Sequence, residues 1–247
     1  MPDEQPVRLH CFAHSAEGVT AFDGWAASVG PGVEPVPVPL PGSARRRTAS
    51  RPATREALLA DVLPRFTGPD PAPYVFYGHG LGALAAYTVA RALHEEGLPG
   101  PALLAVGACP PPHAPSGLPD VRGVSDAELL RILSGNGSVP STSDEGIFLR
   151  AVLPDLRADL ELAQALREAA HRHSPAGPLT TPLLVVTVED DLLPAADDGW
   201  SRWTAGPAWL RTVPAGPFPL RDQWLPRLLG RACRVTRRVA REFTPVG

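Results

Sequence analysis

Three glycines spaced two apart, Gly78-His79-Gly80-Leu81-Gly82, separate two stretches of different periodicity. Before them, Pro73-Tyr74-Val75-Phe76-Tyr77 is a short apolar run with aromatic and β-branched members, as suits a buried strand. After them, Ala83 to Leu98 is rich in Ala and Leu at helical spacing. A buried strand, a sharp glycine turn and a helix in direct succession narrow the choice of fold. A buried strand needs neighbours on both sides, and a helix leaving its end carries the chain back across the sheet to a parallel partner.

The rest of the chain supplies those neighbours. Val7 to Phe12, Glu34 to Leu40, Ala102 to Val106, Pro182 to Val188 and Trp209 to Val213 read as further strands, making six with the run before the glycines. Alternating prolines restrict the segment from Glu34 to a sheet edge or another non-helical path. Helices are predicted around Phe22 to Ser28 and over Thr54 to Phe66, where Leu58, Leu59, Val62 and Leu63 share a face. Gln223 to Arg241 has Leu225, Leu228, Leu229, Ala232, Val235 and Val239 on one side and arginines on the other, the pattern of an amphipathic surface helix. Residues 115–175 form a helical insertion and a candidate lid. Within it, the capping box Ser125-Asp126-Ala127-Glu128 opens a helix that stops near Gly135, and Asp155 to His171 makes a second helix. Alternating strand and helix predicts an α/β fold, a mostly parallel sheet flanked by helices, in one domain over residues 1–247.

Composition removes several functional classes. A net charge of -3 gives no basic field for a nucleic-acid backbone. All 23 basic residues are arginine, which rules out Schiff-base lysine chemistry. Cys11, Cys109 and Cys233 are scattered and odd in number, so neither a disulfide framework nor a zinc cluster is expected. The polar start Met1-Pro2-Asp3-Glu4-Gln5-Pro6 and the lack of a long apolar run predict a cytoplasmic protein without a membrane span, and a monomer is expected.

The glycine turn in this setting resembles the G-x-S-x-G nucleophile elbow of the α/β-hydrolases, with Gly80 standing where the serine would be. Beyond that turn, most of the chain resembles the type II thioesterases that serve polyketide and nonribosomal peptide synthases. Cys11-Phe12-Ala13-His14-Ser15-Ala16-Glu17-Gly18 is similar to the family's C-F-P-H-A-G-G loop, and Leu40-Pro41-Gly42 to its L-P-G turn. Gly107-Ala108-Cys109-Pro110-Pro111 resembles its loop after the next strand. Leu153-Pro154-Asp155-Leu156-Arg157-Ala158-Asp159 is similar to the L-P-x-L-R-A-D lid helix and is the most specific of the four.

The resemblance implies an α/β-hydrolase fold and a triad, and it locates the triad positions. The acid falls on Asp190, with Asp191 as the alternative. The histidine position, in Ala215-Gly216-Pro217-Phe218-Pro219-Leu220, is occupied by Pro217. Gly80 has no hydroxyl and Pro217 no ionisable group, so the attacking and proton-transferring members are both missing. Backbone oxyanion donors outlast such changes, and the N–H groups of Ser15 and Leu81 fill that role. Asp190, His79 and His14 are the candidate acids and bases, and Cys109 is a candidate substitute nucleophile. Each has a structural alternative: loop acceptor for Asp190, packing for the two histidines, a small buried residue for Cys109. Arg157 and Asp159 are expected to bind each other or the lid, and His10 and His94 to be structural.

Two functions are compatible with this pattern. One is a repurposed catalyst that needs no acyl-enzyme and no cofactor or metal, performing cyclisation, elimination, isomerisation or water attack on an acyl or peptidyl intermediate, including one tethered to a carrier protein. The other is a non-catalytic pseudo-thioesterase that binds a carrier protein or its acyl cargo. Residual thioester hydrolysis is a third possibility.

Overall fold

The computed structural model describes residues 5–13, 18–40, 54–68, 73–115, 120–133, 144–172, 174, 176–189, 199–214 and 219–242. Six parallel strands form one sheet: β1 (Val7–Phe12), β2 (Val33–Val38), β3 (Tyr74–His79), β4 (Leu103–Gly107), β5 (Leu183–Val188) and β6 (Ala208–Val213), in the order β2-β1-β3-β4-β5-β6. The proline-bearing β2 lies at an edge, where its missing N–H groups leave no neighbour unpaired. Strand order reverses between β1 and β3. The carboxyl ends of those two strands therefore open onto the crevice where α/β sheets place their ligands.

Strand alternation divides the core into two layers. Phe12, Phe76, Leu104 and Val185 point to one face, where α2 (Arg55–Val62), α3 (Leu81–Glu95) and the C-terminal half of α5 (Asp144–Ala170) cover them. Leu9, Cys11, Val75, Tyr77 and Leu184 point to the other face, under α1 (Trp25–Ser28) and α6 (Trp224–Glu242). Helix α6 lies so close to α1 that a β-carbon on Gly230 would collide with the Val29 carbonyl oxygen. A third, smaller cluster of Val121, Leu129, Leu153 and Leu160 joins α4 (Asp126–Leu133) to α5.

Some element bounds differ from the sequence expectation. Around Phe22 to Ser28 there is a 3-10 turn (Gly18–Phe22) and then only the single turn of α1, because Gly24, with φ 82°, separates them. Helix α3 starts two residues early, at Leu81, and ends at Glu95, with Gly97 at φ 67° just beyond it. Ser125 Oγ accepts from Glu128 N at 3.2 Å, as the capping box predicts, while the expected stop near Gly135 lies outside the described residues. The largest difference is α5, which begins eleven residues before Asp155 and continues through Pro154. A proline inside a helix forfeits one N–H bond and crowds the preceding turn. Burial of Leu153 and Leu160 on either side of it outweighs that local cost.

Candidate active site

The turn between β3 and α3 is built by close approach. A β-carbon on Gly78 would strike the Gly82 carbonyl and the Ala83 Cα, and one on Gly82 would strike the carbonyl oxygen of Phe12 at the end of β1. Those two glycines bring β1, β3 and the first turn of α3 together at the point where strand order reverses. Gly80 differs from both. It takes φ 55° and ψ -122°, a region that side-chain-bearing residues enter only under strain, yet among the described residues a β-carbon there would meet nothing nearer than the Ala108 carbonyl oxygen at 4.0 Å. The geometry is a strand-to-helix elbow whose apex conformation glycine adopts freely and a side-chain-bearing residue would adopt under strain.

The wall facing the apex is the loop after β4. Gly80 N donates to Gly107 O at 2.9 Å, and Ala108 adopts φ 50°, the one positive φ outside glycine among the described residues. The buried Trp200 donates its indole N–H to Cys109 O at 2.9 Å. Arg167 of α5 fixes the next residues: Nη1 donates to the carbonyls of Pro111, Pro112 and Ala114 at 3.2, 3.3 and 3.2 Å, and Nη2 donates to Pro110 O at 3.3 Å. Prolines cannot tie a loop down with their own N–H groups, so a guanidinium that donates to several of their carbonyls takes over that task.

The described candidates divide by chemistry. Burial pushes the Cys109 thiol up to about 12, despite the nearby Arg167, so at neutral pH it is a protonated thiol and a poor nucleophile. His79 Nδ1 and Tyr77 Oη share a hydrogen bond of 2.9 Å, and burial holds the Tyr77 hydroxyl well above its ordinary range. The pair lies against Gly107, where a β-carbon would approach Tyr77 Oη to 3.0 Å and His79 Nδ1 to 3.6 Å. These contacts hold the His79 ring beside Tyr77 and Gly107 at the end of β3. Leu81 is the first residue of α3, so its N–H belongs to the turn whose amides have no acceptor within the helix. His14, Ser15, Asp190, Asp191 and Pro217 lie outside the described residues.

Other sequence expectations resolve in the structure. His10 sits edge-on to Phe66 and Tyr74, and His94 Nε2 contacts Ala176 O at 3.1 Å, both structural settings. Arg157 pairs with Asp126 of α4 at 2.7 Å, within residues 115–175, and Asp159 is buried. The Arg167 clamp and the Tyr77–His79 bond were not anticipated. The single hint of the second was a tyrosine two residues before a histidine on one strand, which puts both on the same face. Among the described residues no helix is long and apolar enough to cross a membrane, and no group of three or more His, Cys, Asp or Glu is placed to hold a metal.

A parallel six-stranded sheet with an elbow at the end of its third strand defines the α/β-hydrolase fold. The thioesterase domain family model matches residues 7–233. Thioesterase PikA5 of Streptomyces venezuelae is 32% identical over 226 residues, covering 88% of this chain and 77% of that protein. RedJ, a thioesterase from the prodiginine biosynthetic pathway in Streptomyces coelicolor, superposes with a TM-score of 0.71 at 30% identity, covering 94% of this chain and 87% of that one. BorB, a type II thioesterase from the borrelidin biosynthetic cluster, does so with a TM-score of 0.67 at 25% identity, covering 98% and 92%. The chain belongs to the type II thioesterase family of polyketide and nonribosomal peptide biosynthesis.

Proposed function

We propose that this protein holds an acyl or peptidyl intermediate, delivered on a carrier protein of a polyketide or nonribosomal peptide pathway, and acts on it without forming an acyl-enzyme. The observation that carries this reading is Gly80, an elbow apex with the positive-φ backbone of a nucleophile position and no nucleophilic side chain. The N–H of Leu81, with that of Ser15 as its partner, polarises the bound carbonyl. Residues 115–175 act as the lid that covers it. Preorganised donors of this kind stabilise a developing enolate or alkoxide as well as a tetrahedral oxyanion. The reactions open to such a site are cyclisation, elimination, isomerisation and direct attack by water, with Asp190, His79 or His14 moving the proton.

A second reading, a pseudo-thioesterase that binds and shields its ligand without turnover, draws support from the proton-transfer groups near the apex. Cys109 is held protonated and His79 is engaged with Tyr77. One substitution separates the two readings. Leu81→Pro removes the proposed donor at a helix position that tolerates proline, and Gly80 already has the mirror image of the extended conformation that a residue before proline prefers. Under the catalytic reading, turnover of pathway thioesters falls by roughly two to three orders of magnitude, with circular dichroism unchanged. Unaltered turnover in Leu81→Pro would refute the role of this donor. Saturable binding of an acylated carrier protein with no turnover in the parent protein would establish the second reading instead.

A further inference from the structure

Crossovers in this fold are unevenly shared between the two faces of the sheet. The connections from β3 to β4 and from β4 to β5 send α3 and α5 to the same side, so among the described residues the face beneath α6 is covered by α1, α6 and the short turns Gly18–Phe22 and Pro219–Arg221. A groove of about 440 Å³ remains between α6 and the first residues of β4, β5 and β6. Its apolar surface includes Trp209, Leu228, Val235 and Val239, of which Trp209, Val235 and Val239 are 46, 60 and 46% exposed. Arg211 and Arg231 also line it. Neither β6 nor α6 contains an acidic residue before Glu242, whereas α6 carries Arg227, Arg231, Arg234, Arg237, Arg238 and Arg241.

We propose that this groove docks an acidic amphipathic helix of a partner protein. Its length along α6, from Leu228 to Val239, is about 16 Å, or roughly three helical turns. The apolar lining suits the buried stripe of such a helix. The arginines suit carboxylates along its flanks and disfavour a basic or neutral one. The groove opens at the starts of the strands, whereas Gly80 follows the end of β3, so an occupant there leaves the elbow accessible. This docking goes beyond the proposed chemistry and does not depend on it.

The test uses a synthetic amphipathic peptide of about four helical turns, with leucines on one face and glutamates on the other, titrated into the intact protein by calorimetry and by tryptophan fluorescence. Expected are saturable binding, a weakening of roughly tenfold or more in Val235→Glu and in Arg231→Glu, and no binding of the same peptide with lysines for glutamates. Val235 and Arg231 are exposed, so both variants should fold, and circular dichroism verifies this. Failure of the acidic peptide to bind, equal binding of the acidic and basic peptides, or binding indifferent to both substitutions would overturn the proposal. So would a concentration-dependent dimer in sedimentation velocity that Val235→Glu abolishes, because a second copy of this chain would then fill the groove.

Discussion

At Gly78 and Gly82 a β-carbon has nowhere to go, whereas at Gly80 the backbone angle favours glycine and no described atom comes nearer than 4.0 Å. Alanine should therefore cost about 3 kcal/mol or more at positions 78 and 82, where backbone must shift, and about 1–2 kcal/mol at position 80, where only the strained φ is at stake. Urea unfolding of the three variants measures this ordering. His10 makes a separate residue-scale prediction. Burial among Phe66, Tyr74 and Phe76, followed by repulsion from Arg8 and Arg65, pushes its pKa down from 6.5 to about 4. The folded state thus prefers neutral His10, while the unfolded chain takes up a proton as soon as pH falls through 6.5. Stability from this group is complete above that value, declines as pH drops and is lost below about 4, by up to about 3 kcal/mol. His10→Phe should flatten the decline, read as a smaller difference in urea midpoint between neutral and acidic buffer.

Helix α5 connects the insertion to the site. Its C-terminus is held by Arg91 of α3, which donates to Ala170 O at 2.8 Å and Arg172 O at 2.6 Å, while its own Arg167 holds the loop that faces Gly80. Arg167→Met keeps most of the side-chain volume and removes the donors. It should destabilise the fold by about 2 kcal/mol and raise amide exchange around Cys109 and His113 more than elsewhere. Sequence made elements of this kind legible in proportion to how local their causes are. Most of the strands showed because they are short apolar runs, and the elbow showed because its three glycines stand between such a run and a helical stretch, although Gly82 is required by the distant Phe12 carbonyl. The start of α5 did not show, since Pro154 argues locally for a boundary that burial of Leu153 and Leu160 overrides. The Arg167 clamp joins residues far apart in the chain, and no periodicity encodes it.

Across the whole molecule, strand order carries the functional argument. Reversal between β1 and β3 creates the crevice, three close-packed chain segments fix the elbow in it, and a clamped loop forms the opposite wall. The overall fold is shared with RedJ, and the apex residue here is glycine. A structure of the protein soaked with an acyl-pantetheine thioester tests the central claim most directly. The intact thioester should lie at Gly80 with its carbonyl oxygen accepting from Leu81 N, and no bond should join the acyl group to the protein. An acyl group attached covalently to any side chain, or a thioester bound away from the elbow, would contradict it.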